Sequence, residues 1–138
     1  MAKIAPSILS ADFANLERDI HGLEQCGADW VHIDVMDGIF VPQISYGQPI
    51  VASIRPLTKL PFDVHLMIEH PENQIESFVQ AGADWITFHQ EAAVHCHRIV
   101  QQIHGFGKKA NFPFQYKYIP VIIYHRKKFG RRSYGKVR

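Results

Sequence analysis

His32, Asp34 and His65 are the side chains in this 138-residue sequence whose types and spacing best suit chemistry. His32 and Asp34 stand two apart in Trp30-Val31-His32-Ile33-Asp34-Val35-Met36, and His65 sits in a second run of the same kind, Phe62-Asp63-Val64-His65-Leu66-Met67. Successive strand side chains point to opposite faces, so His32, Asp34 and Met36 share one face while Val31, Ile33 and Val35 share the other. His65 can join the first pair from a neighbouring strand, within reach of one divalent ion or one substrate atom. Neutral imidazole and carboxylate are good ligands for such an ion, and three protein ligands leave coordination positions open. A carboxylate in this half-apolar setting has its pKa raised by burial and lowered by a metal, which tunes it as a base.

These groups need a scaffold, and the sequence alternates strand-like with helix-like segments. Residues 3–9 read as a short strand, and Asp12 can cap a helix with Phe13, Leu16, Ile20 and Leu23 at helical spacing. A strand over 29–36 and a loop over 37–46 follow, then a helix over 49–55 bracketed by Pro49 and Pro56. A third strand starts after Pro61. Pro71 opens a helix that carries Ile75, Phe78 and Val79 and stops at Gly82. The spacing predicts a fourth strand over 84–89 and a helix over 92–104. Gly27-Ala28-Asp29-Trp30-Val31 recurs as Gly82-Ala83-Asp84-Trp85-Ile86, each copy closing a helix and entering a strand. Such alternation implies parallel βα units. Eight units at this spacing would occupy about 220 residues, the lower range of a TIM barrel. The predicted class is therefore α/β, of the (βα)8 TIM-barrel type, with the first four to five units present over residues 1–110.

In such a barrel the active site lies at the C-terminal strand ends. Ser7, His32, Asp34, Met36, His65, Met67 and His89 all fall at or near those ends. Plainer uses compete with chemistry for several of them: Ser7 can simply end a strand, Met36 and Met67 can be core, and His89 can be a satisfied strand-end histidine. Asp37-Gly38 reads first as a turn. His95, His97 and His104 fall on a predicted surface helix, and a second metal cluster there is the weaker reading. Cys26 and Cys96 fit no metal or disulfide spacing and read as buried thiols on helices. With no long apolar run and no signal-peptide core, the expectation is a cytoplasmic chain with no membrane partner.

The net charge of +2 conceals a division: residues 1–107 carry 5 basic and 13 acidic groups, and residues 108–138 carry 10 basic and none acidic. Tyr116, Tyr118, Tyr124, Phe129 and Tyr134 are interleaved with that basic charge. Charge and stacking surfaces can hold nucleic acid, but an out-of-frame peptide acquires the same composition with no selected role, so nucleic acid is the disfavoured partner. Residues 111–138 are expected to be poorly ordered. His32-x-Asp34 with His65 also matches the facial triad of non-haem iron oxygenases. The parallel βα parsing argues against that use.

Three segments carry a resemblance. Ala5-Pro6-Ser7-Ile8-Leu9-Ser10-Ala11-Asp12, His32-Ile33-Asp34-Val35-Met36-Asp37-Gly38 with Phe40-Val41-Pro42, and Asp63-Val64-His65-Leu66-Met67 resemble the ribulose-phosphate 3-epimerases, in the right order, over residues 3–110. The resemblance implies a TIM barrel and the reversible epimerisation of D-ribulose 5-phosphate to D-xylulose 5-phosphate in the pentose phosphate pathway, with a sugar phosphate as substrate. It implies that His32, Asp34 and His65 hold a divalent cation, zinc first, with iron, manganese or cobalt as alternatives. Asp34 would also remove the C3 proton; Ser7 and His65 would contact substrate, and Met36 and Met67 would line the pocket. The family pattern adds a second acid, an Asp on a late strand, followed by Gly-rich phosphate loops. No Asp or Glu follows Glu91, and Gly105-Phe106-Gly107 comes too early to be such a loop. The expectation is a truncated barrel fused near Asn111 to another reading frame or another replacement, impaired in catalysis and prone to aggregate or pair with a second copy through open sheet edges and an uncovered apolar interior.

Overall fold

The computed structural model describes residues 3–111. Four strands, β1 (Val31–Met36), β2 (Phe62–Met67), β3 (Trp85–Phe88) and β4 (Lys109–Asn111), form one parallel sheet in the order β1-β2-β3-β4. Helices α1 (Leu16–Gln25), α2 (Gln48–Ile54), α3 (Ile75–Ala81) and α4 (Cys96–Gly105) alternate with them. Each strand therefore returns through a helix to lie beside its predecessor, as parallel pairing requires. The predicted βα alternation is the observed one. The alternating run from Phe112 and the poor order expected over 111–138 lie, beyond Asn111, outside the described residues.

One face of the sheet makes the core. Ile33, Val64, Leu66 and Ile86 are fully buried against Phe78 and Ile103 of the helices. Removing that apolar surface from water is the main stabilising term, at roughly 25 cal/mol per Å². The opposite face is not the uncovered apolar interior expected of a half-barrel. The strand registers place His32, Asp34, Asp63, His65 and Thr87 there, and Trp30 and Trp85 stack with ring centroids 4.7 Å apart. Hydrogen-bonded polar groups make this face a different surface from a bare apolar wall.

Several boundaries differ from the sequence reading. Residues 3–9 do not form a strand. The segment runs beside β1, with Ser7 bridging to His32 and the His32 N–H donating to the Pro6 carbonyl at 3.0 Å. Pro6 has no N–H to donate in return, and the Ser7 hydroxyl accepts from the Leu9 N–H, turning the chain into a 3-10 turn at Ile8–Ser10. Asp12 does cap, through Ala14, but it caps a 3-10 turn, and α1 starts only at Leu16. Of the four apolar residues expected at helical spacing, Ile20 alone is fully buried, while Phe13, in the 3-10 turn, is 48% exposed. Strand β4 was not expected: its three residues are too few to show a period. Cys26 is exposed at the end of α1 and Cys96 is half-buried at the start of α4, so the two are not both buried thiols.

The repeated Gly-Ala-Asp-Trp segment performs the same structural task twice. The Asp29 N–H donates to the Ile4 carbonyl, and the Ile4 N–H donates to the Asp29 carboxylate at 2.8 Å. Asp84 and Phe62 repeat the exchange, at 3.0 and 2.9 Å. Each Asp thus fastens the start of its own strand to the start of the preceding extended segment. Gly82, at φ 115°, closes α3 in a left-handed conformation, and a Cβ there would meet the Arg55 side chain at 2.5 Å.

Candidate active site

Strands β1 and β2 pair in register, with His32 opposite Asp63, Asp34 opposite His65 and Met36 opposite Met67. In a parallel pair, register partners face the same way, so two His and two Asp form a diagonal array on one face. Asp34 sits at its centre, 5% exposed. Its Oδ1 is 3.2 Å from His32 Nε2 and 3.1 Å from His65 Nδ1, and its Oδ2 accepts a hydrogen bond from the Ser7 hydroxyl. Four of the predicted residues, Ser7, His32, Asp34 and His65, therefore meet at one carboxylate.

Burial would push the Asp34 pKa up, but hydrogen bonds from His32, His65 and Ser7 hold it well below the usual carboxylate range. The carboxyl is thus ionised before any cation arrives. Burial opposes the charged form of His32 as well; the Asp34 and Asp63 carboxylates outweigh it and raise that pKa to about 9. His89 goes the other way, lowered by burial and by the neighbouring His65, with Glu91 opposing weakly.

His89 follows β3 directly, as a packed histidine. Its Nε2 lies 2.7 Å from His65 Nε2, and its ring stacks on His65 and tilts against Phe40. Met36 and Met67 are half-buried at the strand ends, consistent with the rim of a site and equally with packing. Asp37 is a turn carboxylate, in keeping with the Asp-Gly pair: it accepts from the N–H groups of Ile39, Phe40 and Glu69 at 2.8–2.9 Å and so ties the loop after β1 to the loop after β2. A cavity of about 220 Å³ beside these loops is lined by Gln48, Glu69, Gln74 and Phe78, and among the predicted site residues it reaches Met36 alone. The His and Asp array faces elsewhere.

Sequence reasoning missed Asp63, Thr87, Ser45 and Tyr46. Asp63 is 7% exposed and bonds His32 Nδ1 at 2.9 Å and the Thr87 hydroxyl at 2.9 Å. Its signal was in the sequence, because it stands two residues before His65 and shares its face. The Ser45 hydroxyl donates to the Asp34 carbonyl and accepts from the Met36 N–H, pinning the long loop to β1. The Tyr46 hydroxyl is buried, and burial together with the Asp34 charge keeps it in the phenol form.

The donor set fits a divalent cation. His32, Asp34 and His65 each offer one ligand atom, all within 4.8 Å of one another, and this is the sole such group among the described residues. Donors bonded tetrahedrally to one ion at ~2.0–2.1 Å stand roughly 3.3–3.4 Å apart, and the two imidazole nitrogens, held 3.2 and 3.1 Å from Asp34 Oδ1 by hydrogen bonds, lie close to that spacing. Among the described residues no comparable group forms at His95, His97 and His104.

Parallel strands joined by helices, with a His-Asp-His array beside the strand ends, define the framework of an α/β-barrel enzyme. The chain belongs to the ribulose-phosphate 3 epimerase family, a TIM-barrel family of isomerases, which it matches over residues 3–126. The family match thus runs past residue 110, where the motif resemblance ended. The chain is 57% identical to the ribulose-phosphate 3-epimerase of Treponema pallidum (strain Nichols) over 106 residues, 77% of this chain and 49% of that protein. It is 56% identical to the Bacillus subtilis (strain 168) ribulose-phosphate 3-epimerase over 110 residues, 80% and 51%. A chloroplastic ribulose-5-phosphate-3-epimerase of Arabidopsis thaliana is 50% identical over 109 residues, 78% and 39%. The chain spans about half the length of the curated relatives it matches. Among the described residues no helix is long and apolar enough to cross a membrane.

Proposed function

We propose that this chain carries the cation-binding and proton-abstracting half of a site that interconverts D-ribulose 5-phosphate and D-xylulose 5-phosphate, a step of the pentose phosphate pathway. The observation that supports it best is the single carboxylate of Asp34, buried, ionised and held by His32, His65 and Ser7. A C3 proton beside a carbonyl is too weakly acidic for a free carboxylate to remove quickly. His32, Asp34 and His65 would hold a divalent cation, zinc first and iron, manganese or cobalt as alternatives, which would supply positive charge to stabilise the charge that develops on the substrate. Asp34 accepts the C3 proton. Ser7 fixes the Asp34 carboxylate and contacts the substrate, His65 orients it, and Met36 and Met67 exclude water beside the reacting carbons.

Inversion at C3 requires a proton delivered to the opposite face, and the sequence offers no Asp or Glu after Glu91. The chain alone is therefore proposed to remove the proton and return it to the same face, with epimerisation impaired. A cytoplasmic setting is part of the same reading. Incubating the full chain with ribulose 5-phosphate and zinc in deuterated water tests it: deuterium should enter C3, epimerisation should be far slower than exchange, and Asp34→Asn should slow the exchange by about 10²–10⁴-fold. No zinc-dependent exchange, or exchange indifferent to Asp34→Asn, would sink the proposal.

A further inference from the structure

We propose that Asp63, anchored by Thr87, is a positioning residue that fixes the proton of His32 on Nδ1 and so presents His32 Nε2 as the cation ligand. The inference rests on the cation site proposed above and adds to it a residue outside the three donors.

The two imidazoles of the array are held differently. His32 has Nε2 3.2 Å from Asp34 Oδ1, and its far nitrogen Nδ1 lies 2.9 Å from Asp63 Oδ2. His65 has Nδ1 3.1 Å from Asp34 Oδ1, and its far nitrogen Nε2 lies 2.7 Å from His89 Nε2. The first ring is thus backed by a carboxylate and the second by another imidazole. In the cation-free site each His32 nitrogen faces a carboxylate, Nε2 towards Asp34 and Nδ1 towards Asp63. A neutral His32 that gives its Nε2 lone pair to a cation keeps its one N–H on Nδ1, and the Asp63 carboxylate, which accepts and cannot donate when ionised, is placed to hold it there. Such backing also raises ligand basicity, and loss of it commonly costs about 10–100-fold in metal affinity.

Asp63 is itself constrained. It faces the site from β2 because its register partner is His32. Its second oxygen accepts from the Thr87 hydroxyl on β3, which uses up the remaining freedom of the carboxylate. Three adjacent strands therefore contribute one residue each to a Thr87–Asp63–His32 chain ending at the cation position. A buried carboxylate on a sheet face is costly unless paired, and here its two partners are a ligand histidine and a hydroxyl with no other bond among those described.

The test is zinc affinity of the full chain by chelator competition, with the tautomer of His32 read from imidazole 15N shifts. In the parent chain, zinc-bound His32 should show a protonated Nδ1 and a ligated Nε2. Asp63→Ala should weaken zinc about 10–100-fold and scramble the His32 tautomer. Asp63→Asn can keep the hydrogen bond while losing the charge, so it should hold the tautomer and weaken zinc by less. That contrast is one that a merely structural role does not produce, and Asp63→Asn alone carries the test if Asp63→Ala fails to fold. Zinc affinity within about twofold of the parent in Asp63→Asn, an unchanged tautomer in Asp63→Ala, or ligation through Nδ1 in the parent each overturns the role of Asp63 while leaving the cation site standing. A parent chain that binds no zinc overturns both.

Discussion

The two faces of the sheet come from the same strands, one residue out of phase, and they are built on opposite physics. On the helix side Ile33, Val64, Leu66 and Ile86 are stripped of water and need only shape. On the other side Asp34 and Asp63 are buried and His32 and His65 half-buried, and every one of them has a named polar partner. A fully parallel sheet usually reads as continuous apolar runs because both faces are packed. The alternation in β1 and β2 therefore marks the face where chemistry displaced packing. The difference teaches that stability and activity here should be separable by face, and substitutions can break that statement.

The largest effect is expected on the polar face, in activity. Asp34→Asn keeps the size of the side chain while removing the base, and general base catalysis by a positioned group is worth about 10²–10⁴-fold. Exchange of the C3 proton should fall by that much, with the circular dichroism spectrum unchanged. Loss of fold in this variant would show that the array supports the structure as much as the core does. On the apolar face the expected effect is in stability. Leu66→Ala, at a fully buried position, should cost about 2–5 kcal/mol in urea unfolding. Zinc affinity, measured where the variant remains folded, should stay close to the parent, because Leu66 points away from His65. A large loss of zinc affinity would mean that the faces are coupled through the strand.

Much of this division was legible in the sequence. Alternation placed His32 and Asp34 on one face and Val31 and Ile33 on the other, and the repeated Gly-Ala-Asp-Trp segment announced two equivalent helix-to-strand turns. The same rule puts Asp63 on the face of His65, but at the start of β2, away from the strand ends where a barrel concentrates its chemistry. Thr87 was not legible: its role depends on the register of β2 and β3, which no local pattern encodes. The first segment misled for a physical reason. Its apolar residues suit a strand, yet Pro6 and the Ser7 cap end the pairing after a single bridge. That early turn is what aims the Ser7 hydroxyl at Asp34.

The faces should also differ in their response to pH. In the cation-free chain the His32 pKa is raised to about 9 from 6.5, with burial opposing and the Asp34 and Asp63 carboxylates prevailing. A raised pKa stabilises the fold fully below the unfolded value and ceases to do so as pH climbs through about 9. The contribution is on the order of 3 kcal/mol. Asp34 acts in reverse, stabilising above the ordinary carboxylate range and losing that effect on acidification. With chelator present, the urea midpoint should therefore decline between pH 6.5 and about 9, whereas the cost of Leu66→Ala should be the same at both ends. Zinc requires a neutral His32, so its affinity should rise across the same window. A zinc affinity flat from pH 6.5 to about 9 would remove His32 from the ligand set.

The smallest effects fall at the two turns that the repeated segment builds, and they sharpen the contrast because neither turn touches the polar array. Gly27 has φ 76° with nothing within 4 Å of where a Cβ would sit, and Gly82 has φ 115° with Arg55 Cδ 2.5 Å from that position. Gly27→Ala meets only the left-handed penalty, about 1–2 kcal/mol. Gly82→Ala meets that penalty and must also displace Arg55, whose guanidinium donates to the Thr58 and Leu60 carbonyls and pairs with Asp84. Unfolding should rank Gly82→Ala as the costlier of the two by at least about 1 kcal/mol, the net worth of a typical hydrogen bond, with zinc affinity unchanged in both. Equal costs would mean that Arg55 moves aside freely and that the two copies of the segment are energetic equivalents despite their different neighbours.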